Sequence, residues 1–372
     1  ESLQEASLLR PTDGHIQHQY GKALIAQNNF SEAVNALTRA SEITPAKATI
    51  WNDLGTAYQE IGDKTSALKS LQRAQASGLL SKDLSKRTGE LALALHEYEL
   101  ARASLQPLVD DETNDIGILS AYGTVLENTS DWQNALKIYR QAIKITPDDN
   151  SLLTKIGACC LALDDSKAAI ETLIPAATKY TADLELQKAA SKAYIHSEMW
   201  SDALPYLERV INLAPDDIMY IKETALIASK SGNQQHAIEL LHRASALDPD
   251  DASIHSNLSK LYQQSERWVE ARNALEKAIT LDPHDAKLQK QMADCLAALG
   301  DEKTALETLN TAISIDPDDV SVLETLGESQ FKSKQYQHAY DTFLRASDLS
   351  DGNDSSNRSS RASYLARAGD CL

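Results

Sequence analysis

The chain repeats one pattern every 34 residues, without insertion or deletion, over 340 positions. A recurring proline marks it most clearly. Pro11, Pro45, Pro147, Pro215, Pro249, Pro283 and Pro317 all lie multiples of 34 residues apart, and the slots without proline, Leu79, Thr113, Thr181 and Asp351, keep the register. A fixed period of this length specifies a solenoid, in which each small unit packs only on its neighbours. The expected functional feature is therefore a surface rather than an enclosed pocket.

With the proline placed at position 32, ten repeats start at Gly14, Ala48, Lys82, Ile116, Asn150, Leu184, Ile218, Ala252, Ala286 and Val320. Position 20 is alanine in all ten, from Ala33 to Ala339. Position 8 is always small, as at Gly55, Gly123, Ser191 or Ala293, and position 24 is a large apolar residue such as Leu37, Tyr139 or Phe343. Positions 4, 7, 8 and 11 form one helical stripe, and positions 20, 24 and 27 form a second. Segments such as "EIGDK" and "KSGNQ" break the pattern between them. Small residues at 8, 20 and 27 let two antiparallel helices approach closely, and the proline ends the second helix because it has no N–H to donate. One pair cannot bury its apolar face alone, so the reading is all-α, a stack of helix pairs.

The pattern resembles the tetratricopeptide repeat family, with Trp51, Leu54, Gly55, Tyr58, Ala67, Leu71 and Ala74 of the second repeat in the family's signature positions. The resemblance implies a right-handed superhelical solenoid whose concave wall is made by the first helix of each pair. Residues 14–351 then hold the ten repeats, 1–13 the helix end of a preceding or capping unit, and 352–372 a polar loop and the start of a further helix.

Composition narrows the function. The net charge of −18 argues against nucleic acid as a partner. No apolar run is long enough to span a bilayer, so no direct membrane insertion is expected. Cys159, Cys160, Cys295 and Cys371 form no CxxC pair, and the first three fall at positions 10 and 11, where they read as small buried hydrophobes. Unpaired thiols favour a reducing compartment, hence a cytoplasmic location. Sequons at Asn29 and Asn128 are of a kind that arises by chance.

Catalytic motifs do not emerge: there is no phosphate-binding Gly loop, HExxH or nucleophile elbow. No cofactor and no metal are expected. His15 and His18, with Asp13 nearby, read as solvated side chains rather than ligands. Paired acids after the proline, such as Asp148 with Asp149 and Asp318 with Asp319, precede each next helix and suit its positive N-terminal end. Pro107, Pro175 and Pro205 fall inside second helices, where each should bend or loosen its helix; this reads as a change of curvature rather than a domain boundary.

Positions 2, 5, 6, 9, 12 and 13 of the first helices lie away from the packed stripe, and the family resemblance makes them the groove. Repeats six to nine carry 13 Lys plus Arg against 23 Asp plus Glu, yet seven of those cations fall on groove positions: Lys188, Lys192, Lys222, Lys230, Lys260, Lys287 and Lys290. Only Glu185, Glu223 and Asp294 share those positions. In the other repeats Lys22, Lys86, Arg87, Lys155 and Lys332 are outnumbered by acids. Chaperone-binding members of the family hold a peptide's terminal carboxylate in a five-residue clamp. Lys222, Asn257 and Lys287 occupy three of its slots, while Leu226 and Gln291 replace an Asn and an Arg. The missing Arg removes a bidentate donor, which points to a looser site for an anionic peptide. One asparagine at position 6, Asn257, is no ladder of the kind seen in O-GlcNAc transferase.

The reading is thus a non-catalytic scaffold that binds an extended, acidic segment of a partner protein. The alternative is the recruiting domain of a larger enzyme, such as a glycosyltransferase, lying beyond Leu372. The terminal "SSRASYLARAGDCL" reads as a helix without a partner, which suggests a fragment. Tyr364 and Leu365 are expected to be exposed or covered by another molecule, making end-on self-association an expectation.

Overall fold

The computed structural model describes residues 2–110, 113–350 and 355–371, which form 22 helices and no strand. The slot at Asp351 and the polar stretch 351–354 lie outside the described residues. After α1 (Ser2–Leu9), helices alternate strictly. The first helices are α2 (Gly14–Ala26), α4 (Ala48–Glu60), α6 (Lys82–Ala94), α8 (Ile116–Asn128) and α10 (Asn150–Ala162), then α12 (Leu184–His196), α14 (Ile218–Lys230), α16 (Ala252–Gln264), α18 (Ala286–Ala298) and α20 (Val320–Lys332). The second helices are α3 (Phe30–Ile43), α5 (Lys64–Ala76), α7 (Tyr98–Asp110), α9 (Trp132–Ile145) and α11 (Ser166–Lys179), then α13 (Trp200–Leu213), α15 (Gln234–Leu247), α17 (Trp268–Leu281), α19 (Glu302–Ile315) and α21 (Tyr336–Leu349). The chain ends in α22 (Ser355–Gly369). The architecture is a helical solenoid of helix pairs.

Eight of the ten first helices start where a carboxylate caps them; α6 is capped by the Ser81 hydroxyl, and at α4 Lys47 makes no side-chain cap bond. Asp13, Asp115, Asp149, Asp183, Asp217, Asp251, Asp285 and Asp319 are N-caps whose side chains accept backbone N–H groups of the first turn, for example His15 and Ile16 on Asp13, or Ser321 and Val322 on Asp319. The cap satisfies donors that the helix itself cannot, and its charge faces the positive helix end. The second acid of each post-proline pair is therefore structural.

Each first helix also stops in one way. Position 15 has a left-handed backbone in all ten repeats: Asn28, Gly62, His96, Ser130, Asp164, Glu198, Gly232, Glu266, Gly300 and Lys334. The next residue's N–H reaches back five residues, as from Asp63 to the Tyr58 carbonyl (3.0 Å) and from Arg267 to that of Tyr262 (2.8 Å). This closes the helix and turns the chain at once.

Packing explains the invariant positions. The position-20 alanines are buried, and position 24 lies over position 8 of the same pair. A Cβ added at Gly55 would collide with Leu71, one at Gly123 with the Tyr139 ring, and one at Gly327 with Phe343. Pro107, Pro175 and Pro205 sit inside α7, α11 and α13, which continue through them. Loss of one donor does not end a helix whose apolar face is buried by its neighbours.

The chain divides into two compact blocks, Glu1–Ser197 and Glu198–Leu372, at the turn between α12 and α13. At the end of the second block, α22 is not without a partner. Tyr364 and Ala368 are buried with Leu323, Ala339, Phe343 and Ala346. Arg367 pairs with Glu324 (3.1 Å) and Glu328 (2.6 Å) of α20. Tyr364 therefore needs no second molecule to cover it, whereas Leu365 is 47% exposed, as expected. The stripe also shows the register. In the second repeat the buried residues of the first helix include Ile50, Leu54 and Ala57, at positions 3, 7 and 10. Tyr364, Ala368 and Cys371 have that spacing, and Leu365 and Gly369 then fall at positions 4 and 8. The repeat pattern resumes at Ala362, eight residues later than the strict period places it.

Candidate functional site

The position-5 lysines have a structural partner that charge counting does not reveal. Lys86 Nζ bonds Asp115 Oδ2 at 2.7 Å, and Lys222 Nζ bonds Asp251 Oδ2 at 2.7 Å and Ser253 Oγ at 2.8 Å. Both aspartates are N-caps of the next first helix. The lysine thus ties one repeat to the cap of the next. Burial alone would raise the Asp251 carboxyl, but the Lys222 ammonium and the Ser253 hydroxyl and N–H together hold it below the usual carboxylate range. Lys290 bonds Ser321 Oγ across the same junction at 2.7 Å. Lys188 pairs with Glu185 of its own helix at 2.9 Å.

Arg87 and Lys155 of the first block are engaged in the same manner, whereas Lys22 and Lys192 there are exposed without an ion pair among the described residues. Arg87 donates to Asn52 (3.2 Å), Thr56 (2.9 Å) and Gln59 (2.5 Å). Lys155 bonds Thr124 Oγ1 (2.5 Å) and lies over the buried Tyr139 ring, whose hydroxyl donates to Glu127 at 2.9 Å. Burial drives the Tyr139 hydroxyl well above its ordinary value, so it remains protonated.

In the second block two cations like Lys22 and Lys192 stand on successive first helices. Lys260 of α16 and Lys287 of α18 are exposed, and neither ammonium has an ion-pair partner among the described residues. Lys230 lies over the Trp200 ring at 4.2 Å, which leaves its outward side to solvent. Lys222, Asn257 and Lys260 line one cavity of about 140 Å³ between α14 and α16, with Leu226, Ser229 and Gln264. Its floor is Ala225, Leu241 and Leu261. Leu226 is 55% exposed and Met219 62% exposed. Counting charges passed over both, although an apolar residue at position 9 or 2 is itself a signal. Lys188 and Lys192 belong to the first block, and Lys287 and Lys290 do not line this cavity.

Further along this wall, surrounding protein lifts the Asp294 carboxyl above its ordinary value although its surface is open to solvent; Lys290 opposes this and Glu328 adds to it. Larger hollows lie around Trp51 (450 Å³) and His255 (520 Å³). They occupy equivalent repeat positions: Trp51 Nε1 donates to the Pro45 carbonyl at 2.7 Å, and His255 Nε2 meets that of Pro249 at 3.2 Å. They are features of repeat geometry common to both blocks.

The first-helix histidines divide. His15 is exposed, but His18 is buried and its Nε2 meets Asp53 Oδ2 at 2.7 Å, which corrects the expectation of a solvated side chain. Among the described residues no three His, Cys, Asp or Glu converge to hold a metal ion, and no helix is long and apolar enough to cross a membrane. Cys159, Cys160 and Cys295 are buried, and burial pushes the Cys159 thiol up to about 12.

Comparison with known proteins agrees with the repeat geometry. The tetratricopeptide-repeat domain of cytochrome c-type biogenesis protein H matches residues 241–357, and three tetratricopeptide-repeat models match residues 21–62, 52–115 and 118–153. BBSome complex member BBS4 of Bos taurus is 27% identical over 218 residues, covering 58% of this chain and 41% of that protein. The chain thus spans less than half the length of this relative. Among solved structures, YrrB, a tetratricopeptide-repeat protein with an unusual peptide-binding site, is 20% identical over 51% of this chain and 97% of its own, with a TM-score of 0.46. A tetratricopeptide-repeat protein of Parabacteroides merdae is 13% identical over 67% of this chain and 98% of its own, also with a TM-score of 0.46. Repeat models matching both blocks, on helix pairs of the period described above, make this chain a member of the tetratricopeptide repeat family.

Proposed function

We propose that this repeat scaffold for protein–protein interaction binds an extended, acidic segment of a partner protein along α14, α16 and α18. The observation that carries the reading is the state of the cations. Lys260 and Lys287 are exposed and carry no ion pair, in a stretch where acids outnumber basic residues 23 to 13. An acidic segment supplies what these ammonium groups lack and is repelled by the remaining surface, which fixes where it lies. The first block is a poorer candidate, since Lys86, Arg87 and Lys155 are already held by neighbouring side chains and its exposed groove lysines, Lys22 and Lys192, belong to repeats one and six rather than to successive repeats.

The same geometry selects the variants for a test. Lys222→Glu would place a carboxylate against the Asp251 cap, so weakened binding could reflect a damaged repeat junction. Lys260→Glu with Lys287→Glu avoids this. The double variant should bind a fluorescent peptide of Asp and Glu about tenfold more weakly and with a flatter salt dependence, because exposed pairs contribute modestly and are screened within about 10 Å at 0.1 M salt. Lys22→Glu, on the exposed face of α2, should leave binding unchanged. Equal affinity of the double variant and the wild type, measured by anisotropy from low to high salt, sinks the proposal.

A further inference from the structure

We infer that the cavity between α14 and α16 receives one aliphatic side chain from within that acidic segment, so that the partner's sequence carries a Leu-like residue flanked by Asp or Glu. The inference rests on the acidic-segment reading and adds to it. At about 140 Å³ the cavity lies below the roughly 300–1,000 Å³ of small-molecule sites, and it has room for one side chain. Its floor of Ala225, Leu241 and Leu261 is apolar, and Leu226 presents an exposed aliphatic wall. An exposed leucine beside an apolar floor gains by covering, whereas a carboxylate placed there would lose its hydration.

The rim assigns the rest of the segment. Lys222 is spent on Asp251 and Ser253, which leaves Lys260 as the rim cation without an ion pair. The side chains of Asn257 and Gln264 hydrogen-bond to no described residue. Their amides can pair with the N–H and C=O groups of an extended backbone, which is how such segments gain affinity while pockets select side chains. The rim offers a chain-terminal carboxylate no bidentate guanidinium donor, and Lys222 is already bonded to Asp251, whereas the two amides suit a backbone. The occupant is therefore an internal stretch.

Two fluorescent probes, acetylated and amidated at their ends, test this on the whole chain: Asp-Glu-Asp-Leu-Asp-Glu-Asp and the same peptide with Ser for Leu. The wild type should bind the Leu probe about tenfold more tightly, the ratio expected for burying one leucine side chain. Leu226→Gln should bring the two affinities together while leaving the Ser probe's affinity unchanged; its site is exposed, and circular dichroism checks the fold. Lys260→Glu should weaken both probes by the same factor. Equal, salt-sensitive binding of both probes to the wild type overturns the aliphatic cavity and leaves the acidic-segment reading standing. Binding of neither probe overturns both. A Leu226→Gln variant that weakens the two probes equally also overturns the cavity, because it shows no side-chain selection there.

Discussion

Two residues that look ordinary in the sequence set much of the geometry, and each yields a prediction. The first is position 15, left-handed in every repeat although only three of the ten residues there are glycine. At Gly232, φ is +85° and an added Cβ would meet nothing within 4 Å. The cost of Gly232→Val is therefore conformational, about 1–2 kcal/mol, and should appear as a lower urea midpoint without any change in packing. The second is the capping aspartate paired to a lysine of the preceding repeat. The hydrogen bond from Lys86 holds the Asp115 carboxyl below its usual range, and the same bond lifts the Lys86 ammonium above its own. A depressed carboxylate contributes stability that is complete above its unfolded pKa and is lost as pH falls below it; a raised lysine contributes below its unfolded pKa and loses this as pH rises. The pair should thus stabilise between about pH 4 and pH 10. Asp115→Asn keeps a good cap, so it isolates the charge. It should cost no more than about 1 kcal/mol at pH 7, since both side chains are about one-third exposed, and in acid titrations the difference should begin to shrink at about pH 4 and disappear as pH falls through the depressed carboxyl pKa.

At the scale of the helix pair, close approach outweighs helix propensity. Glycine inside a helix normally costs roughly 0.5–1 kcal/mol against alanine. Gly123→Ala would nevertheless destabilise, because its Cβ enters the ring of Tyr139, which is buried and tied to Glu127 at 2.9 Å. Overpacking of this kind costs about 1–3 kcal/mol, which exceeds the propensity gain, and chemical denaturation will show the sign. This contest also explains how much of the fold was legible in advance. Helix starts could be read to the residue because the period is unbroken and eight capping aspartates recur with it. The left-handed turns were not legible, since residues such as His96 and Glu266 carry no glycine signal; five-residue backbone bonds and burial of the flanking helices fix them instead. Nor was the place of α22, where an eight-residue slip hides Leu365 and Gly369 from a strict count. For the candidate site, the sequence showed the lysines but not which were already paired. Lys222 meets Asp251, 29 residues further along the chain, only because the intervening chain returns to the neighbouring helix.

Across a block, each repeat is stabilised by its neighbours, so damage should travel along the stack in steps rather than unfold the chain at a single point. Ala271 of α17 is fully buried, where α16 and α18 pack against that helix. Ala271→Leu inserts three carbons into this contact and should cost about 1–3 kcal/mol. The pattern of loss is more telling than its size. Hydrogen exchange should quicken in α15 to α19, whose cores share the disturbed interface directly or through one neighbour. In α2 to α5 it should remain unchanged, because local opening draws on nearby contacts. A uniform loss of protection from α2 to α21 would mean that the chain unfolds as one cooperative body, and the additive picture of repeat stability would not hold for it. If protection falls only around α17, the wall carrying Lys260 and Lys287 is softened while the first block stays intact, and binding of acidic probes should fall with it. That coupling gives a second, independent way to place the binding surface, since an equally destabilising substitution in α3, Ala33→Leu, should leave probe affinity as it was.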